Sequence, residues 1–452
     1  MFGLDFGPLR SIPKMVFLIA ILSLVVHLVM TALFSHTYDS EYWLIIMQNI
    51  ETGNGLYGLN GFYYTPVWGY MLSFADMLTQ VFGAIPVLGD RFTDLILIED
   101  YNGFQAVLAS PDINFLLKLP LSVCDVLVGY LLYVIVSRHT GSERKGIVSM
   151  ALWCFCPIVV YMSAIQGQFD TISVLLLLMT IFLIRQDNPL LAGMVFALAT
   201  WLKIFPGVCI LVLFGYMLAR YKGAPRSTRQ ISMSIVGFLL LTAVLFLPQI
   251  LDGTLAYAFS FLTSRTSGYD LGSTLYMAGM LVIIVILMLF MTRSIARKPA
   301  AEADRLVFLY CGLLASLAAM VQFGYQYAPS VVGFIILFAM MSVNTRGYRF
   351  VFLVVSLFTF LEAFFWVNYS SLFIISEYFG TFDPSWVLEH TLDFTLNWGS
   401  EATGSLMGRF ANIWHYALFA FVIMAVLDFC RGRVPALDRA SDYVRSLGGL
   451  LR

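Results

Sequence analysis

The sequence predicts an all-α, polytopic membrane protein with about twelve transmembrane helices and with interfacial helices on its outer face. Hydrophobic residues make up 60% of the chain and charged residues only 12%, whereas a soluble domain carries about 25% charged residues. The apolar residues are gathered into long runs, many close to the roughly 20 residues that cross a bilayer. The formal net charge of −1 gives no sign of a nucleic-acid partner, and the partner that the composition does indicate is the lipid bilayer.

Apolar runs follow one another along the whole chain and are the candidate spans. The first lacks the small-residue cleavage pattern that follows a signal peptide, so we expect it to stay in the membrane. The candidate spans are 14–34, 118–137, 146–165, 170–185, 190–206, 207–220, 230–248, 272–292, 306–323, 328–343, 349–367 and 411–429.

The distribution of cations predicts the topology, because Lys and Arg concentrate in cytoplasmic segments. With both termini in the cytoplasm, all but five of the 26 Lys and Arg residues fall on the inner side. The exceptions are Arg91, Lys118, Lys203, Arg265 and Arg409. We therefore expect a multi-pass protein of the plasma membrane or the endoplasmic reticulum, with long outer segments at 35–117, 249–271 and 368–410.

The stretch 66–88 is long enough to span but contains Asp76 and two prolines. If it crossed the membrane alone, every later segment would change sides and the cation bias would be lost. We therefore expect a helix that lies in or dips into the outer interface. The alternative is a hairpin in which part of 89–117 also spans.

Two carboxylates come directly after the first apolar run, in the sequence "SHTYDSEYW". Asp39 and Glu41 are compatible with an ordinary solvated loop, and Asp39 with a helix cap. A carboxylate held at the membrane surface can also take a proton from a hydroxyl group. Both interpretations stay open on the residues alone.

Polar side chains gather again where the third span ends and the fourth begins. Gln166, Gln168 and Asp170 stand at this point, where ionisable groups are costly unless they face a cavity or a partner. Capping of the next helix by Asp170 and a functional role are compatible interpretations.

Two outer cations, Lys203 in "ALATWLKIFPG" and Arg265 in "FLTSRTSGYD", lie beside predicted spans. Snorkelling to the interface explains such positions. A cation at the outer mouth also suits a lipid phosphate, and arginine offers a fork that matches its oxygens in pairs.

Three ionisable residues, His27, Asp125 and Glu362, lie within predicted spans. Such residues are functional candidates by default, and each can equally be a partnered residue that joins two helices.

In these motifs the chain resembles the GT-C glycosyltransferase superfamily, in particular the polyprenyl-phosphate-mannose-dependent mannosyltransferases. The resemblance is carried by Asp39-x-Glu41 after the first span, "YYTPVW" at 63–68, the pair Cys124–Asp125, "CP…GQFD" at 156–170, and "AGMVFALATWLKIFP" at 192–206. It covers roughly the first 220 residues. It implies a GT-C-like catalytic module at 1–220, which includes the outer segment 35–117, and a C-terminal transmembrane module at 221–452.

The resemblance also implies a reaction in which a hexose, with mannose favoured, leaves a polyprenyl phosphate and joins an acceptor hydroxyl with inversion. Asp39 is then the catalytic base, and Glu41 orients the acceptor or Asp39. The departing phosphate needs positive charge rather than a strong acid. Lys203 and Arg265 are the first candidates for that role, followed by Arg409 and Lys118. Trp43 and Tyr64 can stack on sugar faces, and Gln168 and Asp170 complete the expected substrate site.

No cofactor is expected, because a monophosphate lipid donor does not require a metal, although an Asp-x-Glu pair can hold one. The expected partners are the lipid-linked sugar donor, a glycolipid, glycan or glycoprotein acceptor, and the bilayer. The alternative function is a secondary transporter or flippase for a lipid-linked sugar, which His27 favours. Transporters, however, usually show inverted repeats and polar residues near the midplane, whereas here the polar residues crowd the outer rim.

Overall fold

The structure is a computed structural model that describes residues 13–34, 37–57, 62, 64–81, 96–99, 105–108, 111–223, 227–260, 271–321, 324–342, 345–379 and 400–430. For some of these, among them Asp39 and Glu41, it describes the backbone alone.

The described part of the chain is almost entirely helical. The helices are α1 Lys14–Leu33, α2 Thr37–Glu51, α3 Pro66–Val81, α4 Pro111–Thr140, α5 Glu143–Cys154, α6 Pro157–Val160, α7 Asp170–Arg185, α8 Pro189–Leu202, α9 Ile210–Arg220, α10 Ser227–Leu251, α11 Leu271–Ala296, α12 Ala300–Met320, α13 Ala328–Met341, α14 Thr345–Phe379 and α15 Ser400–Cys430. A π-helix, Tyr161–Ile165, continues α6, and 3₁₀ turns occupy Phe205–Cys209, Tyr257–Phe259 and Tyr325–Tyr327.

The prediction of an all-α fold misses one short antiparallel ribbon in the first outer segment. Strand β1, Ile96–Glu99, pairs with β2, Gln105–Leu108, so that Ile96 lies opposite Leu108. Strand β2 lies beside α2. Four-residue strands have too little alternation to be recognised among the apolar runs of this chain.

Every predicted span falls on a helical segment, but the number twelve is not confirmed. Within the described residues, six helices are long and apolar enough to cross a membrane, and the bent pair Glu143–Cys154 and Pro157–Ile165 would be a seventh. The shorter apolar helices Pro189–Leu202, Phe205–Arg220 and Tyr325–Met341 have 17 residues or fewer. The chain is thus a multi-pass membrane protein.

Side-chain contacts define two ends of the helix bundle. At one end, which we call the rim end, α1 finishes, α4 and α7 begin and α8 finishes, with Lys118 bonded to Phe34 and Lys203 bonded to Asp170. At the other end, which we call the cation-rich end, Arg185 of α7 and Arg220 of α9 meet Asp304 of α12. These contacts give the directions of α1, α4, α7, α8, α9 and α12, which are those of the predicted order.

Helix α1 packs on the bundle through a buried stripe that begins with Val16 and Ile19 and continues with polar residues. Ser23, His27 and Thr31 are spaced four residues apart and are fully buried, while most large apolar side chains of α1 are exposed. Exposed apolar residues suit lipid, and polar residues in a span face the interior of the bundle. Thr31 bonds Ser122 of α4 at 3.1 Å.

Helices α8 and α10 approach each other closely enough that their backbones touch. A Cβ atom on Gly193 of α8 would overlap the carbonyl of Ser234, and one on Gly237 of α10 would overlap the carbonyl of Leu190. Small residues permit such contact between membrane helices. The contact fixes α8, whose last turn leads into Lys203.

Candidate active site

An ion pair joins the start of α7 to the end of α8 at the rim end. Lys203 Nζ lies 2.6 Å from Asp170 Oδ2, and the two side chains are 9% and 1% exposed. The second carboxylate oxygen, Asp170 Oδ1, accepts a hydrogen bond of 2.8 Å from Ser330 Oγ of α13. Three helices therefore converge on one carboxylate.

The predicted role of Asp170 as a helix cap, which was compatible with a functional role, is wrong. Phe169 occupies the N-cap position of α7 and makes no side-chain cap bond, and Asp170 is the first helical residue. Its carboxylate is directed to Lys203 and Ser330 instead.

The ammonium group of Lys203 also lies over two aromatic rings. Its Nζ is 4.7 Å from the ring centroid of Phe169 and 4.7 Å from that of Tyr327. Aromatic faces attract a cation, most strongly where water is excluded. The contacts hold Lys203 in place and account for its low exposure better than snorkelling does.

Lys118 is fully buried at the same end of the bundle. Its Nζ donates to Phe34 O at 2.8 Å and to Ile165 O at 2.7 Å. Phe34 directly follows α1, and Ile165 is the last residue of the π-helix. Lys118 thus ties the chain that leads into α2 to the segment that leads into α7.

The segment between the π-helix and α7 makes a turn that packs on Lys118. Gly167 has a φ of +73°, a left-handed conformation that favours glycine, and a Cβ there would lie 3.6 Å from Lys118 Cε. Gln168 is buried, and its backbone N–H donates to Met162 O at 2.8 Å. The predicted polar residues Gln168 and Asp170 therefore belong to one tightly folded segment.

Aromatic rings connect α2 and α3 to this segment. Trp43 of α2 lies 5.9 Å from Phe169 and 5.6 Å from Tyr64, measured between ring centroids. Trp68 of α3 stacks on Phe169 at 4.3 Å. We call Trp43, Tyr64, Lys118, Gln168, Asp170 and Lys203, all of which the sequence analysis predicted, together with Phe169, the rim site.

The backbone at Tyr64 is held by a neutral phenol. Tyr57 donates its hydroxyl hydrogen to Tyr64 O at 2.9 Å, and its ring packs on Phe62. Burial raises the pKa of Tyr57 above its ordinary value, because the charged phenolate is disfavoured away from water. Tyr57 therefore remains a hydrogen-bond donor at any physiological pH.

The two predicted catalytic carboxylates lie on α2, and the contacts of their side chains lie outside the described residues. Helix α2 begins at Thr37, so Asp39 falls within its first turn rather than before it. An acidic residue in the first turn is favoured by the helix dipole. Asp39 also precedes Trp43 by four residues, about one helical turn, so its backbone is close to the rim site.

Two further cations, Arg265 and Arg409, were predicted to bind the phosphate. Arg265 lies outside the described residues. Arg409 is exposed on α15, and no described hydrogen bond or ion pair joins it to the rim site.

The intramembrane residues His27 and Asp125 are each other's partners. His27 Nε2 lies 3.2 Å from Asp125 Oδ2, and both side chains are fully buried. Asp125 also accepts hydrogen bonds from Ser163 Oγ and Thr171 Oγ1. Glu362 also has a hydrogen-bond partner, since Trp414 Nε1 donates to its carboxylate. All three residues therefore join helices.

Three residues of the observed site were not predicted from the sequence: Tyr327, Ser330 and Phe169. The signal that could have found the first two is "YQYAPS", in which two tyrosines stand directly before a predicted span at the rim end. Among the residues whose side chains are described, no three His, Cys, Asp or Glu side chains could together hold a metal ion. Asp39 and Glu41 are not among those residues, and the absence of a metal stays a prediction.

The chain matches the sequence model of Glycosyltransferase family 87 over residues 115–361, which is more than half of its length. This match extends beyond residue 220, and it begins after Asp39 and Glu41. The chain is also 27% identical over 113 residues to GPI mannosyltransferase 1 of Candida albicans (strain SC5314 / ATCC MYA-2876). That alignment covers 24% of this chain and only 28% of the relative's length.

Proposed function

Because the chain belongs to Glycosyltransferase family 87, we propose that it transfers a hexose from a polyprenyl-phosphate donor to an acceptor hydroxyl, with inversion, at the outer face of the membrane. Mannose is the sugar we propose, on the strength of the sequence similarity to a protein named as a mannosyltransferase. The proposal requires no metal ion. The acceptor is a glycolipid, glycan or glycoprotein that reaches the rim end.

The observation that carries the proposal is the contact between α2 and the start of α7. Trp43 packs on Phe169, and Phe169 precedes the Asp170 carboxylate that holds Lys203. The helix that bears Asp39 and Glu41 is therefore packed against the residues that bear the ion pair. A transfer reaction needs a base and a cation on either side of one reacting carbon. In the proposal, α2 supplies the base, and Lys203, which directly follows α8, supplies the cation.

In the proposed step, the acceptor oxygen attacks the anomeric carbon while its proton passes to the Asp39 carboxylate. The bond between the anomeric carbon and the phosphate oxygen breaks, and polyprenyl phosphate leaves with the electron pair. The products are the new glycoside, polyprenyl phosphate and protonated Asp39, which returns its proton to water. A phosphate is a good leaving group, so the site needs no strong acid opposite the base, unlike an inverting glycosidase.

Lys203 is the residue we propose for stabilising the departing phosphate. Its position is fixed before substrate arrives, because Asp170 and the rings of Phe169 and Tyr327 already hold it. A fixed cation needs no reorganisation when negative charge develops, which is the origin of most electrostatic catalysis. Lys118 bonds Phe34 and Ile165, and so holds the end of α1 to the segment that leads into α7.

Asp39→Asn tests the base. Asparagine keeps the shape of the side chain but cannot accept the proton, so we expect turnover to fall by roughly 10²–10⁴-fold, the usual scale of general-base catalysis. The measurement is transfer of radiolabelled mannose from polyprenyl-phosphate mannose by membranes that contain each variant. Donor KM should change little, because the substitution removes no cation. Glu41→Gln should be milder if Glu41 only orients the acceptor.

Asp252→Asn is the matched control, since Asp252 is an exposed carboxylate directly after α10, which finishes at the rim end. It should leave turnover unchanged. Near-normal transfer by Asp39→Asn would remove Asp39 from the mechanism. Movement of the lipid-linked sugar across vesicles without any transfer would instead support the flippase alternative.

A further inference from the structure

A pocket with no role in the proposed reaction lies at the cation-rich end, where α11 finishes. It has a volume of about 600 Å³ and is lined by Phe290, Arg293, Ser294, Arg297 and Lys298. The rim site is at the opposite end of the bundle, so the pocket and the rim site are two separate sites.

Among the described residues, the two arginines of this pocket have no carboxylate partner, whereas other arginines at the cation-rich end have one. Arg293 and Arg297 are exposed, and neither forms an ion pair or hydrogen bond with a described residue. Lys298 is paired with Glu302 at 2.7 Å. By contrast, Arg185 and Arg220 both meet Asp304, at 3.4 and 4.0 Å.

Arg293 lies in the last turn of α11 and Arg297 directly follows the helix, and both line the pocket. Two like charges that share one pocket repel each other, so an anion between them would be favourable. Helix α11 is long and apolar enough to cross a membrane, and Arg293 lies in its last turn. The pocket therefore lies at the end of this apolar helix.

The face of α11 that carries Arg293 is apolar in the turns before that residue. Val282, Ile286 and Leu289 precede Arg293 at helical spacing and are 57%, 60% and 51% exposed. At 1.5 Å per residue, Ile286 lies about 10 Å along the helix from Arg293. An apolar stripe that ends in a cationic pocket matches the two parts of a phospholipid.

We propose that this pocket binds the phosphate headgroup of an anionic phospholipid, whose acyl chains lie along Val282, Ile286 and Leu289. Guanidinium groups match phosphate oxygens in pairs, and basic pockets between membrane helices bind anionic headgroups. A free phosphate ion would use the arginines but would leave the apolar stripe uncovered. The continuity of stripe and pocket therefore favours the lipid.

Native mass spectrometry of the purified full chain tests the proposal. The protein is titrated with phosphatidylglycerol and, separately, with phosphatidylcholine that has the same acyl chains. We expect phosphatidylglycerol to bind more tightly. The double variant Arg293→Gln/Arg297→Gln should weaken this binding roughly ten- to thirty-fold, since each cation near a lipid surface contributes about a decade or less. Binding of phosphatidylcholine should be unaffected.

The control is Arg346→Gln/Arg349→Gln, which removes the same charge from exposed residues at the start of α14. It should retain the tight phosphatidylglycerol binding. Equal losses in the two double variants would mean that charge alone acts, and the pocket assignment would fail. Displacement of phosphatidylglycerol by inorganic phosphate at the same concentration would assign the pocket to a free anion instead. If the double variant is unstable, the single variant Arg297→Gln tests the same site with the same binding measurement.

Discussion

Lys203 is a buried cation whose charge is matched by Asp170, and this makes its role hard to test with a single substitution. Removing one member of a buried ion pair leaves the other unpaired, which costs about 3–5 kcal/mol. We expect Lys203→Met to lower the melting temperature strongly. The double variant Lys203→Met/Asp170→Asn should recover most of that loss, because no charge is left buried and the new amide oxygen can still accept the hydrogen bond from Ser330.

The single and the double variant together distinguish a structural role of Lys203 from a role in phosphate binding. If Lys203 stabilises the departing phosphate, the double variant is stable but still impaired in transfer. Lys298→Met provides the matched control: its partner Glu302 is also 2.7 Å away, but the two side chains are 31% and 47% exposed, so little stability should be lost. A double variant with wild-type transfer would show that the pair only holds helices α7 and α8 together.

How far single residues could be predicted depends on the range of their interactions. An ionisable residue in a span is costly without a partner, and a partnered role was one of the two interpretations that the sequence left open for His27 and Asp125. The sequence could not indicate that they are partners of each other, because they are on different helices, α1 and α4. The same holds for Lys203 and Asp170, whose polarity was informative but whose pairing depends on how α7 and α8 pack.

At the level of helices, the close contact of α8 and α10 positions the rim site. Gly193→Ala places a methyl group against the Ser234 carbonyl, and overpacking of this kind costs typically about 1–3 kcal/mol. We expect a lower melting temperature together with weaker donor use, because α8 leads into Lys203. Trp201, which lies two residues before Lys203, bonds Thr242 of α10 at 2.8 Å and would be displaced as well.

Gly279→Ala is the control for this substitution. Gly279 is also within a membrane helix, α11, but a Cβ there meets no atom within 4 Å. Alanine should therefore be neutral or slightly stabilising, since it favours a helix more than glycine does. If Gly193→Ala is equally harmless in both measurements, α8 and α10 do not touch as described.

Helix boundaries were predicted best where proline, glycine or charge marks them. The predicted span 170–185 coincides with α7, Asp170–Arg185, and 190–206 overlaps α8, Pro189–Leu202. The π-helix Tyr161–Ile165 was not predicted, because a π-turn depends on tertiary contacts and has no local composition signal. The ribbon of β1 and β2 was missed for a similar reason, since its pairing is the only feature that distinguishes it.

For the whole molecule, the separation of two chemically different ends is the property that the sequence predicted most fully. The directions of α1, α4, α7, α8, α9 and α12 were predicted from the positions of Lys and Arg, which are known without knowledge of any contact. Which end faces the cytoplasm and whether the C-terminal half is a separate module both stay predictions. Buried residues from α1 to α15 form one continuous cluster, so packing alone draws no boundary at residue 220.

The orientation of the bundle can be tested with single added cysteines. Asn54 is exposed after α2, near the rim end, and Lys222 is exposed after α9, at the cation-rich end. The six native cysteines are free and buried or half-buried, so they can stay in place, with the unsubstituted chain as the labelling background. In sealed cells, a membrane-impermeant maleimide should label Asn54→Cys at once and Lys222→Cys only after lysis, because the cation-rich end should face the cytoplasm. The reverse pattern would invert the proposed topology and place the sugar transfer inside the cell. Labelling of both positions from one side would mean that the two ends of the bundle do not lie on opposite sides of the membrane. The helices would then not cross the membrane in the predicted order.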